Sequence, residues 1–293
     1  MSKIIDFNSD FLFIYEAIQC NPNGDPDQEN KPRMDYDTKT NLVTDTRIKR
    51  YIRDYLKSEG KDIFVDMEGN SKVSVDTKLK IVLRKVLADR SLLEKAFADK
   101  PEYLGVYDKL AEEAKGDTEQ LIDQIAAKNF KDKAVNYHLL AFLVKEQFLD
   151  IRMFGSAFAV PGFTKSYIGP IQMNWGYSLN KVELMESNSI VTIMNDDSST
   201  FGKDYRLHYS LLAVNGTINK HTAKSTGLTE ADLNDFRNAI WQSIPALPTR
   251  SKMNQYPKLY LEIRYNEGFT NGQFGDLRNY ISATEKEGIL PGK

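Results

Sequence analysis

Two stretches, DFLFIYEAIQC (10–20) and TDTRIKRYIRDYL (44–56), describe a strand followed by a helix. The first is a short run rich in aromatics and isoleucine, the composition of a strand buried on both faces. In the second, Thr44 or Asp45 stands where a helix N-cap is wanted, and the helical pattern runs to about Leu56. At 100° per residue, Ile48, Tyr51, Ile52, Tyr55 and Leu56 share one face of this helix. Lys49, Arg50 and Arg53 fall opposite, with Arg47 at the margin. The helix is therefore expected to dock on a core and turn a cationic stripe outward. Its first turn offers free backbone N–H groups, a ready place for an anion. A merely solvated helix face gives the same pattern, so the stripe alone does not establish a ligand.

Between these stretches, Asn21 to about Val43 reads as a loop punctuated by Pro22, Gly24, Pro26 and Pro32. Its length exceeds that of an ordinary connection, which makes it a functional candidate. Helices are predicted over 76–98, 105–128 and 132–149, with the helical block ending at Asp150. Residues 151–160 read as a strand, or as a loop and then a strand, and further strands are expected within 167–179 and 189–194. NDDSSTFGKD (195–204) reads as a polar turn, and 205–219 as a long strand or bent hairpin arm. Thr229 caps a last helix, with Asp232 three residues on, and KLYLEIRY (258–265) alternates as a final strand. Strand–helix at the start and strand–helix–strand at the end form the halves of one βαββαβ sheet. The expected class is α+β, with roughly 60–205 as insertions.

Composition narrows the function classes. The chain has 293 residues, 39 Lys plus Arg and 41 Asp plus Glu, for a formal charge of −2. That balance argues against a basic arm, but opposite charges can sit on different faces. No run of 18 apolar residues occurs, so no membrane helix is expected. The stretch MSKIIDFNSD lacks the apolar segment of a signal peptide, and the single Cys20 rules out an internal disulfide. A cytoplasmic protein is the expectation.

No phosphate loop and no G-x-G-x-x-G is present. His138, His208 and His221 lack the spacing of a zinc site, and His138 reads as structural. NPNGDPDQEN (21–30) fails as a calcium loop: with Gly24 at the sixth position, Gln19 stands first and Asn30 twelfth. Magnesium at Asp25, Asp27, Asp35 or Asp37 is the only metal reading left, and no cofactor is expected.

Further cations can extend the helix surface. Lys31 and Arg33 flank Pro32, Arg152 and Phe154 stand together before Gly155, and Lys165, Arg206, Arg250 and Lys252 lie in or beside turns. Cations beside aromatics suit single-stranded nucleic acid, whose bases stack while its phosphates are neutralised.

The order of these residues is also recognisable. Asn21-Pro-Asn-Gly24-Asp-Pro-Asp27-x-x-Asn30-x-Pro-Arg33-x-Asp35, then Leu42-Val-Thr-Asp45-x-Arg47-Ile-Lys49-Arg50-Tyr-Ile-Arg53, resembles the Cas-seven family. This family supplies the large backbone subunit of type I CRISPR effector (Cascade) complexes. Within it, the Csh-two/Csd-two branch fits best, as in type I-B. Asp150-Ile-Arg152-Met-Phe154-Gly155 is similar to the family's D-x-R-x-F-G element, and Ile168-Gly-Pro170-Ile-Gln172 to the strand after it.

The resemblance implies a modified RNA-recognition (ferredoxin-like) core in one elaborated domain over 1–293. A helical, fingers-like insertion is placed at 60–149 and a thumb-like hairpin at 190–208. It implies a non-catalytic subunit that polymerises along CRISPR guide RNA and exposes bases to target DNA. Further copies of itself and Cas-five-type, Cas-eight-type and Cas-six-type subunits would be its partners. On this reading Arg47, Lys49, Arg50 and Arg53 contact phosphates, Asn21, Asn23 and Arg33 line the entering loop, and Arg152 and Phe154 form the second element. Met194 and Phe201 are placed as the thumb wedge, since apolar wedges separate bases. The alternative is a ribonuclease using Asp25, Asp27, Asp35 or Asp37, as type III relatives do with an aspartate in the equivalent loop.

Overall fold

In the computed structural model, which describes residues 2–68, 71–72, 75–87, 89–126, 133–160, 163–186, 189–195 and 198–284, β1 (Ser9–Ile18) is an inner strand of an antiparallel sheet, paired on both edges. Both its faces are covered, which is why it reads apolar without alternating. The stretch after it is not the open loop expected. β2 (Gly24–Asp25) pairs with β3 (Lys31–Pro32), and β4 (Met34–Asp35) with β5 (Thr40–Val43). Asn41 and Val43 are buried, and alternation over only four residues is a weak signal beside that many prolines. Thr44 then caps α1 (Asp45–Ser58), its hydroxyl accepting from Arg47 N at 3.2 Å.

The chain continues through β6 (Met67–Glu68), β7 (Ser71–Lys72), α2 (Val75–Leu87), α3 (Arg90–Ala96), α4 (Pro101–Glu113), α5 (Thr118–Ala126), α6 (Lys133–Gln147) and α7 (Leu149–Phe154). β8 (Gly155–Val160) and β9 (Phe163–Ile168) form a hairpin, followed by β10 (Ile171–Met173) and β11 (Gly176–Ser178). A second hairpin, β12 (Ser189–Asn195) with β13 (Ser198–Lys203), precedes β14 (Tyr209–Ile218). α8 (Lys220–Thr226), α9 (Glu230–Ala246) and β15 (Gln255–Arg264) complete the main elements.

The chain divides into two compact units. The first gathers Asp6–Glu59, Ile171–Lys220 and Leu233–Lys293. Its sheet has the order β15-β1-β14-β11-β5-β4, with β10 also pairing with β14. Phe11 of β1 meets Phe236 of α9 edge-on at 5.5 Å and stacks on Tyr260 of β15 at 5.8 Å. On the opposite face, Leu12, Ile14 and Ala213 pack with Leu277, from the segment after β15.

The other unit gathers Met1–Ile5, Gly60–Pro170 and His221–Asp232 around a core that includes Phe64, Phe97, Leu139, Leu143, Phe148, Phe158 and Phe163. Its helices are shorter than the sequence suggested. Asp89 interrupts the first by capping α3, and Lys115 and Gly116 take positive φ between α4 and α5. The helical block runs on to Phe154, where a strand or loop was expected from Ile151. Ile151, Met153 and Phe154 are buried in α7, and Gly155 ends it at φ 73°. A Cβ on Gly155 would lie 2.0 Å from Tyr167 O, so only glycine allows the start of β8 to approach β9.

The polar turn expected over 195–204 also needs correction. Ser198–Lys203 pairs as a strand with β12, in a register that sets Thr200 opposite Thr192 and Phe201 opposite Val191. Thr and Phe favour strands, and cross-strand pairing outweighs the turn-like composition.

Candidate nucleic-acid interface

The groups gathered at the end of β1 build the candidate surface. Asn21 follows Cys20 with its side chain buried. Its Nδ2 donates to Asn30 O at 2.8 Å, and its backbone N to Ser251 O at 2.9 Å. Asn23 ties this loop to α1, because its Oδ1 accepts from both Thr44 N (2.9 Å) and Thr44 Oγ1 (3.1 Å). Asn23 O in turn accepts from Arg33 N at 2.9 Å. The loop that enters the helix is thus fastened to the helix cap.

Cations converge on that frame. Arg47 lays its guanidinium over Tyr51, 4.1 Å from the ring centroid. The half-buried Lys252 donates to Asn21 O at 2.5 Å. Burial, and then the nearby charge of Arg47, push the Lys252 ammonium down to about 8. Two crowded like charges of this kind favour an anion between or beside them. Arg206 and Arg250 share Asp204, at 2.7 and 3.6 Å. Arg33 pairs with Asp25 at 3.4 Å.

Four buried polar atoms in this region, Asn21 Oδ1, Arg33 Nε, Asn41 Oδ1 and Arg47 Nε, have no hydrogen-bond partner among the described residues. Each such atom costs about 1–3 kcal/mol when left unpaired, and such atoms call for a functional or solvent explanation.

The cationic stripe on α1 is less open than the wheel suggested. Arg53 is buried at 9% exposure, with Ile48, Tyr51, Ile52 and Leu56, whereas Tyr55 is only half-buried. Lys49 pairs with Asp45 at 3.0 Å and Arg50 with Asp54 at 2.9 Å, both four residues apart. Long basic side chains bury their stems along the protein, and acids one turn away draw their heads down. A helical wheel sees neither effect.

Arg152, Phe154 and Lys165 belong to the other unit. Arg152 forks onto Asp232 with two 2.9 Å bonds and donates to Lys145 O and Glu146 O at 2.7 and 3.0 Å. Burial raises the Asp232 carboxyl, but Arg152 and Thr229 outweigh it and hold the group below the usual carboxylate range. Asp232 also completes a reciprocal cap with Thr229, at 3.0 and 3.2 Å. Phe154 is a buried core residue, and Lys165 lies over Tyr137 and Tyr167, 5.6 Å from each ring centroid. Asp150, also buried, accepts from Phe64 N and Val65 N at 2.7 and 3.1 Å. The residues around 150–155 therefore hold their own unit together. The side chains of Met194 and Phe201, placed at the wedge, lie outside the described residues.

The acidic residues of the loop serve its turns. Asp25 accepts from Asp27 N, and Asp35 from Asp37 N and Thr38 N. Among the described residues no three His, Cys, Asp or Glu side chains are gathered as a metal site needs. His138 bonds Ala96 O at 3.0 Å and stacks on Phe97, a packing role.

Sequence reasoning passed over Tyr205 and Trp175. Lys31 and Lys203 both lie over the Tyr205 ring, at 5.1 and 5.9 Å, and its hydroxyl donates to Glu29 at 2.6 Å. Trp175 is 49% exposed beside Arg33. For Tyr205 the available signal was Lys203 two residues before it; for Trp175 it was an aromatic next to a glycine at a strand start, with its cation, Arg33, distant in sequence.

An antiparallel sheet carrying a cation-lined loop that is fastened to a helix N-terminus makes this a mixed α/β protein. A model of the family described as CRISPR-associated protein Cas7 matches residues 8–291. The CRISPR-associated protein Cas7 of Haloferax volcanii is 31% identical over 297 positions, covering 93% of this chain and 74% of that one. Two solved chains of CRISPR RNA-guided surveillance complexes, one of them pre-nicking, are each 14% identical. Their TM-scores are 0.48 and 0.45, with 84% and 90% of this chain and 74% and 78% of theirs covered. The chain belongs to the Cas7 family. No helix among the described residues is long and apolar enough to cross a membrane.

Proposed function

We propose that this chain is a non-catalytic subunit that binds CRISPR guide RNA, polymerises along it and presents its bases to target DNA. Family membership supports the setting. The observation that carries the RNA contact is the convergence of Arg47 and Lys252 on the Asn21 loop, where four buried polar atoms lack partners among the described residues. In this mode the protein holds backbone and shape while base pairing reads sequence. Arg33, Arg206 and Arg250 extend the phosphate track, and Lys49 and Arg50 can exchange Asp45 and Asp54 for phosphates, because partly exposed ion pairs are weak.

The finer parts of the reading rest on topology and resemblance. The sheet order β15-β1-β14, with α1 after β1 and α9 between β14 and β15, supports an RNA-recognition-like core. The helices within 60–149 are assigned to the fingers, and the β12–β13 hairpin to the thumb. The type I-B branch, the Cas-five-, Cas-eight- and Cas-six-type partners and a cytoplasmic setting follow from the resemblance alone.

The test is binding of a labelled guide-length RNA by the full chain and by Arg47→Glu with Lys252→Glu. We expect the double variant to lose binding by at least about a hundredfold, since each neutralised phosphate contact contributes through counterion release. Unchanged affinity in a folded variant would overturn the assignment. Steady cleavage of labelled RNA with Mg²⁺, lost in Asp25→Ala or Asp35→Ala, would favour the ribonuclease instead.

A further inference from the structure

Trp175 is an exposed aromatic on an unusually well-fixed backbone. It lies between β10 and β11 with its side chain about half accessible. Its carbonyl accepts from Arg278 Nη1 at 2.7 Å. Arg278 is itself buried, held by Asp276 and laid over Tyr177 at 3.9 Å. On one side, Asn174 N donates to Asn215 O at 2.9 Å. On the other, Gly176 pairs with Val43, and a Cβ there would press within 2.8 Å of Val214. The backbone that carries the ring is therefore held by its neighbours, while about half of the side chain stays in water.

Its surroundings indicate what covers it. Arg33 stands over the ring, 5.9 Å from its centroid. That arginine is equally fixed: its N donates to Asn23 O, and its O accepts from Leu42 N and Asn41 Nδ2. Val43, paired with Gly176, is followed directly by Thr44, the cap of α1. The aromatic, the cation and the helix N-terminus thus adjoin one another through adjacent strands. A cation held against an exposed aromatic suits a nucleotide, whose base stacks on the ring while its phosphate meets the guanidinium.

We propose that Trp175 and Arg33 form a shelf on which one unpaired base of a single-stranded RNA stacks, with Arg33 meeting the adjoining phosphate. The shelf rests on the RNA-binding reading above and adds a base contact to a surface otherwise argued from phosphates. Every base has a π-face, so the shelf tolerates any sequence.

The experiment compares two labelled probes of equal length, oligoadenylate and an abasic ribose-phosphate oligomer, against wild type, Trp175→Ala and Trp175→Phe. Trp175→Ala is expected to weaken oligoadenylate about tenfold, within the range of one lost stack, and to leave the abasic probe unchanged. Trp175→Phe should keep most of the affinity. Because the chain has two tryptophans, a Trp241→Phe background isolates Trp175 emission, which oligoadenylate should quench and the abasic probe should not. Equal loss on both probes, or no loss on either, overturns the shelf while leaving the phosphate surface standing. A Trp175→Ala effect confined to self-association, seen by sedimentation, overturns it in favour of a protein contact. Wild type that binds neither probe removes the RNA reading and the shelf with it.

Discussion

The loop entering α1 and the run Asp150–Gly155 carry equally family-like motifs, yet their polar groups behave in opposite ways. Around Asp150 the polar groups bond within their own unit: Asp150 accepts from two backbone N–H groups, and Arg152 donates to Asp232 and two carbonyls. Around Asn21, cations crowd together, and buried nitrogens and oxygens have no partners among the described residues. A motif match does not separate residues that build a site from residues that use it. Saturation of hydrogen bonds does: the Arg152 guanidinium, forked onto a carboxylate and also bonded to two carbonyls, has little left for phosphate.

The largest expected effect tests the saturated side. Arg152→Ala should destabilise its unit by about 3 kcal/mol or more, since it strands a partly buried carboxylate and two carbonyls. Chemical denaturation of the full chain measures it. Asp232→Asn keeps most of the cap on α9 while removing the charge, so Arg152→Ala should cost less in that background. The Asp232 carboxyl sits below its usual range when folded. Its stabilising share is therefore present above the ordinary carboxylate range and lost as pH falls through the depressed value. RNA affinity lost without loss of stability would place Arg152 on the ligand side and break the comparison.

A smaller effect tests how the open side is held. Asn23→Ala removes the acceptor for Thr44 N and Oγ1 and loosens the loop from the helix cap. The expected cost is about 1 kcal/mol of stability, the scale of a lost cap interaction, with a several-fold drop in RNA affinity. Stability lost with full affinity would mean the loop needs no preorganisation.

The parts legible in sequence were those with local signals. β1, the Thr44 cap, the Thr229–Asp232 box and β15 follow from periodicity and caps, and the structure has all four. Interruptions were harder to read: Asp89, and Lys115 with Gly116, break helices whose apolar pattern runs straight through. Within the site, a wheel projection could place Lys49, Arg50 and Arg53 on one side of α1. It could not say that Arg53 is buried or that Asp45 and Asp54 hold the other two. Arg152 read as an exposed cation because its partner lies 80 residues away. Lys252 stood in a turn like any other lysine, and only the fold brings it against Asn21 and Arg47. Pairing across sequence distance is what composition and motif cannot supply.

The smallest effect sharpens the open side through Lys252. Its ammonium faces Arg47 from α1, Cys20 at the end of β1 and Asp204 from the segment before β14. Burial first, then Arg47, bring it down to about 8, with Cys20 and Asp204 opposing. Without RNA, this lysine is neutral above that value in the folded chain but still charged in the unfolded one. The bare protein should therefore gain stability as pH rises from about 8 toward the ordinary lysine value of about 10.4. RNA binding should run the other way, since a phosphate beside the ammonium keeps it protonated and each complex formed above that point takes up a proton. Affinity should be level from pH 6.5 to 7.5 and then fall by at most about tenfold per unit, the limit for one linked proton. Anisotropy titrations at fixed ionic strength give the profile. Lys252→Arg, charged throughout this range, should flatten it while keeping affinity at pH 7. A wild-type profile that is level to pH 9.5, or an equal slope in Lys252→Arg, would mean that the RNA phosphates lie away from Lys252 and that the open side centres on Arg47 and Arg33 alone.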